Sequence, residues 1–207
     1  MNTFTPPLLR RRQMMMSKSL PYDAEIEYLE GGNQPYIDSL INVSNLLDFE
    51  CEIQIVNPTS NIQFGGRYVT RSKSIALLYN KDNGSFSYRY DSAVSSFSVQ
   101  SANSYLVETY KGSITINGKT FSYIPKIFDA QTTFCLFACQ NYNGSLTGDL
   151  SVGLRMKWIK LHYDDILVRD FIPVRIGQVG YMYDKVSGQL FGNQGTGNFI
   201  LGPDKTE

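Results

Sequence analysis

Hydrophobic and polar residues alternate in short segments along most of the chain. AEIEYLE (24–30), FECEIQIV (49–56) and SFSYRY (85–90) place apolar side chains at about every second position. A period of two predicts β-strands with one buried face. Asn83-Gly84 and Asn117-Gly118 separate such segments. Because these dipeptides favour two-residue turns, they predict β-hairpins.

The alternation continues without a segment that has the spacing of an amphipathic helix. Roughly a dozen short strands, separated by turn residues, follow one another from about residue 20 onward. This succession is typical of two packed antiparallel sheets. The pattern therefore predicts an all-β fold: a two-sheet antiparallel β-sandwich of jelly-roll type, formed as one domain by residues 20–207.

Residues 1–19 do not follow this pattern and predict an extended N-terminal arm. Pro6-Pro7 disfavours a helix at its start, and the segment is too short to bury a core of its own. Guanidinium groups bind carboxylates in a forked geometry, and methionine side chains adapt to irregular grooves. We therefore expect the arm to anchor the protein in an assembly. The candidate anchoring residues are Arg10, Arg11, Arg12, Met14, Met15 and Met16.

Composition and charge support one domain and exclude some partners. The 207 residues are 42% hydrophobic and 13% aromatic, and 26 aromatic residues are Tyr or Phe, which suits a strand-rich core. The formal net charge is zero, but residues 1–19 carry four basic residues and no acid, so the remainder sums to −4. An acidic body argues against nucleic-acid binding. We also expect no membrane insertion, because no apolar run approaches about 20 residues.

The cysteines and the single histidine provide neither a disulfide framework nor a metal cluster. Cys135 and Cys139 lie in TTFCLFACQ; if this segment is one strand, their Cα atoms are ~13 Å apart, beyond disulfide reach. In a helix they would be neighbours. The strand interpretation predicts free thiols and synthesis in a reducing cytoplasm. His162 has no second histidine as a metal-binding partner, so we expect no zinc site.

Two segments are candidates for nucleotide binding and for catalysis. The glycines of GNQGTG (192–197) precede NFILGPD rather than a helix, so they indicate a turn and not a phosphate-binding loop. Glu25, Glu27 and Glu30 are similar to the strand-borne carboxylates of lectin-like glycoside hydrolases. Alternation places Glu25 and Glu27 on one face, and Glu30 joins them only if a bulge intervenes. A solvated edge face explains them without catalysis, and we expect no catalytic residue.

The remaining candidates lie near the C terminus. Trp158, Tyr181 and Tyr183 are candidate glycan-stacking residues, since Tyr181 and Tyr183 share one strand face; packing in the core or between subunits is the alternative. The second set is a candidate calcium site, for which turn formation is an equally good explanation. Its residues are Asp164, Asp165 and Asp184.

Two end segments carry a resemblance to a family. LPYDAEIEYLEGGNQPYIDSLI (20–41) and LVRDFIPVRIGQVGYMYDKVSGQLFGNQGTGNFILG (167–202) resemble small proteins encoded by phages and prophages of gut Bacteroidales, including crAss-like phages. FGGR (64–67) and FCLFACQN (134–141) are looser matches. The resemblance implies a concanavalin A-like lectin or laminin-G-like jelly roll and a location in the virion. It supplies no ligand and no catalytic residue.

Together these observations predict a non-enzymatic virion protein of the head or tail. We expect it to dock on other virion proteins through residues 1–19, to form a homo-oligomer, and to display its sandwich to host-surface or mucus glycans. The alternative is a glycoside hydrolase of the lectin-like fold that acts on polysaccharide through Glu25 and Glu27.

Overall fold

The computed structural model describes residues 20–32, 34–59, 61–69, 72–98, 104–147 and 151–206. Within these ranges the chain is all-β, with no helix and two sheets, which confirms the predicted sandwich. Since none of these residues is helical, this part of the chain offers no helical membrane span. The arm predicted for residues 1–19, with Arg10–Arg12 and Met14–Met16, lies outside the described residues.

Nineteen strands are formed by the described residues. The first ten are β1 Ala24–Glu25, β2 Leu29–Glu30, β3 Ile37–Ser44, β4 Leu47–Ile55, β5 Ile62–Val69, β6 Ser72–Asn80, β7 Ser85–Asp91, β8 Ala93–Ser98, β9 Tyr105–Tyr110 and β10 Ser113–Ile116. The others are β11 Lys119–Ser122, β12 Asp129–Leu136, β13 Cys139–Asn141, β14 Leu146–Thr147, β15 Leu154–Tyr163, β16 Ile166–Ile176, β17 Val179–Asp184, β18 Gln189–Phe191 and β19 Ile200–Leu201.

The strands are divided between a large sheet and a small sheet. The large sheet has the order β11-β10-β9-β4-β15-β16-β17-β18, with β1 paired to β16, and with β2 paired to both β15 and β19. The small sheet has the order β14-β13-β5-β6-β7-β8, and β12 joins β3 to β5. All pairs are antiparallel except β5 with β13, which run parallel. Both predicted hairpins form, at Gly84 between β6 and β7 and at Asn117-Gly118 between β10 and β11.

The core lies between the two sheets and follows from the alternation of each strand. In β4, Phe49 and Ile53 point inward and are almost fully buried, while the intervening acidic residues point outward. The Phe49 ring contacts Phe64 and Phe134 of the small sheet, with centroids 5.8 and 5.3 Å away. Because apolar burial is the main favourable term in folding, these contacts across the core hold the two sheets together.

The segment TTFCLFACQ is not the single strand that its sequence predicts. It forms the end of β12 and the start of β13, separated by a bend at Phe137, whose φ is 65°. The Phe137 ring packs on Phe199, 4.8 Å away, so burial of this side chain accompanies the bend. The prediction of free thiols is nevertheless confirmed: all three cysteines are free and buried. Burial raises the pKa of Cys51 and of Cys135, which keeps both as thiols.

The glycine-rich segment 192–197 leads into β19 and not into a helix, so the turn interpretation is confirmed. Asn193 organises it: its Oδ1 accepts hydrogen bonds from the N–H groups of Tyr36 (3.1 Å) and Gly195 (2.8 Å). A Cβ atom on Gly195 would collide with the carbonyl oxygen of Gln34. Glycine is therefore needed there because the loop lies directly against the segment that leads into β3.

Candidate functional site

The outward side of the large sheet brings aromatic and charged side chains together around Trp158. The register of β15 against β4 shifts between Met156 and Trp158, and Trp158 is paired with Glu52. The indole Nε1–H donates to Glu52 Oε2 over 3.3 Å, and the Lys160 ammonium lies 5.4 Å from the centroid of the indole ring. Trp158 is thus half-buried on the outer surface, in a fixed orientation.

Glu52 is the polar centre of this region. It accepts hydrogen bonds from Lys157 Nζ (2.7 Å) and Ser104 Oγ (2.5 Å) as well as from Trp158. Burial alone would raise the pKa of Glu52, but the hydrogen bonds from Lys157, Ser104 and Trp158 outweigh it and lower the pKa. Glu52 is therefore a carboxylate at neutral pH and acts as an acceptor that positions its neighbours.

An open depression of about 360 Å³ lies beside the indole, and we call it the Trp158 depression. It is lined by Glu27, Glu52, Lys157, Trp158 and Lys205. Its volume lies in the range of small-ligand pockets, and its lining combines one aromatic ring with hydrogen-bond donors and acceptors. The depression therefore has the components needed to bind a polar ligand that has one flat apolar face.

Tyr181 and Tyr183 share the outward face of β17, as their spacing predicts. Both are half-buried, and Met182 between them is fully buried on the opposite face. The Tyr183 ring contacts Tyr22 edge-on, with centroids 5.1 Å apart. Neither tyrosine lies in the core between the sheets, so they belong to the surface of the molecule.

The register of the large sheet places these tyrosines on the same outward side as Trp158. Ile159 is paired with Phe171, and Phe171 with Asp184. Beyond Ile159 and Phe171 these two strands no longer pair with each other: β15 pairs with β2, and β16 pairs with β1 and with β17, where Ile172 lies opposite Tyr183. The structure therefore brings all three predicted glycan-stacking residues to one face; we call this surface, with the Trp158 depression, the aromatic face.

A second groove of about 460 Å³ extends the aromatic face. Its lining residues are Leu20, Tyr22, Asp23, Ala24, Glu25, Lys205 and Thr206. The Tyr22 hydroxyl donates to Glu25 Oε1 over 3.1 Å, and burial together with this hydrogen bond raises the pKa of Tyr22 to about 12. Lys205 lines both the groove and the Trp158 depression, so the two openings are neighbours.

The three glutamates of the first strand region have separate partners. Ile26 is fully buried between Glu25 and Glu27, which leaves these two carboxylates on the outward side. Glu25 lies 3.6 Å from Lys205 Nζ, whereas Glu27 lines the Trp158 depression. Strand pairing is interrupted between β1 and β2, and Glu30 binds Arg155 at 2.6 Å. The irregularity that would let Glu30 join the face of Glu25 and Glu27 is present, but the three carboxylates are not arranged around one opening.

The structure does not bring the predicted calcium ligands together. Asp165 lies at the turn between β15 and β16 and pairs with Lys111 at 2.8 Å. Asp184 is the last residue of β17 and is fully buried. It accepts hydrogen bonds from the Asp170 N–H and the Ser187 hydroxyl. Among the described residues, no group of three or more His, Cys, Asp or Glu side chains is arranged to hold a metal ion. The three residues therefore do not form the common site that the calcium hypothesis needs. Asp164 and Asp165 form the turn between β15 and β16, and Asp184 accepts hydrogen bonds from the backbone N–H groups of Val186 and Ser187 in the turn after β17.

Several residues of the aromatic face were not identified from the sequence. Tyr22, Glu52, Lys157 and Lys205 come from four distant parts of the chain, and only the register of the sheet unites them. The one local signal was the alternation of acids in β4, which places Asp48, Glu50 and Glu52 on a single outward face.

Comparisons with known proteins found no match for this chain. No protein-family model, curated protein or solved structure matches this chain. The resemblance to proteins of Bacteroidales phages accordingly stays a prediction from the sequence motifs.

Proposed function

We propose that this chain is a non-enzymatic binding protein of a phage virion, which displays the aromatic face to host-surface or mucus glycans. The observation that carries this proposal is the placement of Trp158, Tyr181 and Tyr183 on one outward face of the large sheet. The location in a virion rests on the resemblance of the two end segments and on the basic arm, residues 1–19.

The chemistry of the aromatic face suits carbohydrate. A sugar ring has a flat C–H face that packs on an aromatic ring, and a rim of hydroxyl groups that need hydrogen-bond partners. Trp158 supplies the ring, Glu27 and Glu52 supply acceptors, and Lys157 and Lys205 supply donors. Because the depression and the adjoining groove are both open to solvent, a polysaccharide chain can cross them without threading through the protein.

A hydrolase is the alternative, and the positions of the glutamates favour binding over hydrolysis. Retaining hydrolysis requires two carboxyl groups about 5 Å apart on either side of the scissile bond. Glu25 is engaged by Tyr22 and Lys205, and Glu27 opens into the adjacent depression. Replacement of both by Gln should leave any polysaccharide degradation by whole particles unchanged. Loss of such degradation in a folded double variant would support the hydrolase instead.

The experiment that tests glycan binding is a glycan array followed by affinity measurement on the strongest ligand. Trp158→Ala and Tyr183→Ala should each weaken binding, and Trp158→Ala by about tenfold, equivalent to about 1.4 kcal/mol. The matched control is Tyr142→Ala, an exposed tyrosine that packs on Tyr68 elsewhere on the protein. Equal affinities for the parent and Trp158→Ala would contradict the proposal.

A further inference from the structure

The outward face of the large sheet carries a second opening, which the proposed function does not use. This cleft of about 420 Å³ lies toward the turn between β15 and β16. We call it the acidic cleft. Its lining residues are Asp48, Phe49, Glu50, Glu108, Thr109, Tyr110, His162 and Asp165.

Carboxylates outnumber their cationic partners in this cleft. Glu50 is directly opposite Glu108 in the register of β4 and β9, so two like charges lie side by side. Lys160 neutralises Glu50 at 3.0 Å and Lys111 neutralises Asp165 at 2.8 Å. Among the described residues, Glu108 has no ion-pair partner. The cleft therefore keeps surplus negative charge and attracts a cationic group.

Exposed apolar side chains flank Glu108 on its own strand. The outward residues of β9 are Leu106, Glu108 and Tyr110, of which Leu106 is 42% and Tyr110 60% exposed. An exposed carboxylate thus lies between two exposed apolar side chains on one strand. This surface matches a segment that presents both cationic and flexible apolar side chains.

Residues 10–16 of this chain, RRRQMMM, are such a segment. Their three arginines have no acidic neighbour within residues 1–19, whereas the remainder of the chain sums to −4. Arginine forks onto carboxylates, and methionine packs on irregular apolar surfaces. We propose that residues 10–16 of a second copy of this chain dock in the acidic cleft. This inference deepens the assembly role in the proposed function, because it names the receiving surface.

The geometry favours a second copy over the arm of the same copy. His162, at the cleft, is paired with Leu167, whereas Ala24, beside Leu20, is paired with Arg175. Leu167 and Arg175 are eight residues apart on β16, or ~27 Å, and the cleft lies about two strands away across the sheet. The eight residues from Leu20 back to Arg12 span at most ~27 Å. The arm of the same copy would have to be fully extended, whereas the arm of a neighbour has no such restriction.

Each copy can donate its arm to a neighbour and accept an arm in its own cleft. The exchange is reciprocal in a two-fold dimer, or it continues around a ring or along a filament. The contact depends on charge and should weaken as salt rises.

The test is the self-association of the full-length chain, measured by sedimentation velocity over a range of concentrations. The double variant Glu50→Gln, Glu108→Gln should associate at least about tenfold more weakly. It removes a like-charge pair, so its fold should be retained. The matched control is Glu25→Gln with Glu27→Gln, which removes two acids from the same sheet outside the cleft. The control should associate like the parent.

Charge reversal identifies the arm as the occupant. A chain with Arg10, Arg11 and Arg12 each changed to Glu should not associate with itself, and neither should a chain with Glu50 and Glu108 changed to Lys. A mixture of the two should associate again, because one supplies an acidic arm and the other a basic cleft.

Three results would overturn the proposal: a parent chain that stays monomeric at every concentration, cleft variants that associate like the parent, or an arm-to-cleft crosslink that forms within one copy. The glycan affinity of the parent and of the Glu50→Gln, Glu108→Gln variant separates this proposal from the proposed function. Weaker self-association with unchanged glycan affinity supports docking in the cleft, whereas a parent chain that associates but binds no glycan contradicts the proposed function alone.

Discussion

The aromatic face and the acidic cleft share strands β4 and β15 but differ in how their acids are matched. In the aromatic face, Glu52 faces Lys157 and Trp158 across the β4–β15 pair. In the acidic cleft, Glu50 also pairs with a lysine of β15, Lys160, but across the β4–β9 pair it faces Glu108, whereas Glu52 faces Leu106 there. The alternation within β4 places its acids on one side, but the neighbouring strand decides whether an acid becomes a structural acceptor or a surplus charge.

The largest effect is expected from the core residue that supports both regions. Phe49→Ala removes the contact of β4 with Phe64 and Phe134 and leaves a cavity under the shared strand. Loss of a buried phenylalanine costs about 3–5 kcal/mol of the free energy of unfolding. Urea denaturation should show this loss, and both glycan binding and self-association should weaken together. Loss of only one of the two would show that the regions do not share a scaffold.

The next effect separates the two regions. Trp158→Ala should weaken glycan binding about tenfold and leave self-association unchanged. Glu50→Gln with Glu108→Gln should do the reverse. Both properties are measured on the same samples, by affinity measurement and by sedimentation. If either variant weakens both properties while its free energy of unfolding is unchanged, the two regions are one site.

A smaller effect concerns how the stability of the fold depends on pH, because the pKa values of two acids of β4, Glu52 and Asp48, shift in opposite directions. The pKa of Glu52 is lowered, so its ionised form stabilises the fold above the ordinary value of 4.5 and this stabilisation is lost on acidification. The pKa of Asp48 is raised, mainly by burial, so its ionised form costs stability at neutral pH, and protonation removes that cost as pH falls. Glu52→Gln should therefore destabilise the protein at pH 7 and reduce its acid sensitivity, whereas Asp48→Asn should stabilise it at pH 7.

Urea denaturation at pH 7 and at pH 3 provides the measurement. The Lys111 N–H donates to both carboxylate oxygens of Asp48 at 3.1 Å, and an asparagine oxygen can still accept this bond. Destabilisation by both substitutions at pH 7 would contradict the opposite pKa shifts.

The smallest effect concerns the like-charge pair itself. Glu108→Gln removes repulsion from Glu50 and should stabilise the fold by about 0.2–1 kcal/mol. Glu27→Gln, an exposed acid outside the cleft, serves as the control and should change the free energy of unfolding less. Equal changes would show that Glu50 and Glu108 do not repel each other.

Much of the fold was predictable because alternation and turn residues are local signals. The burial of Phe49, the outward acids of β4 and the shared face of Tyr181 and Tyr183 all follow from a period of two. The bend at Phe137 was missed, because its apolar neighbours are equally compatible with a continuous strand.

The site was less predictable, because its members meet only through long-range register. The pairing of Trp158 with Glu52 depends on the alignment of β15 with β4, including its irregularity. The separation of Asp165 from Asp184 depends on the lengths of β16 and β17, so the acids could not be assigned to turns or to a common site from the sequence.

The most direct test of the central claim uses Trp158, the one tryptophan of the chain. Its fluorescence reports on the aromatic face without a label, and the acidic-cleft variant Glu50→Gln, Glu108→Gln keeps the same reporter. Titration with the strongest glycan from the array should change the emission saturably, with the same midpoint in the parent and in the cleft variant. Binding that saturates by calorimetry while the Trp158 emission stays constant would place the glycan elsewhere and contradict the account.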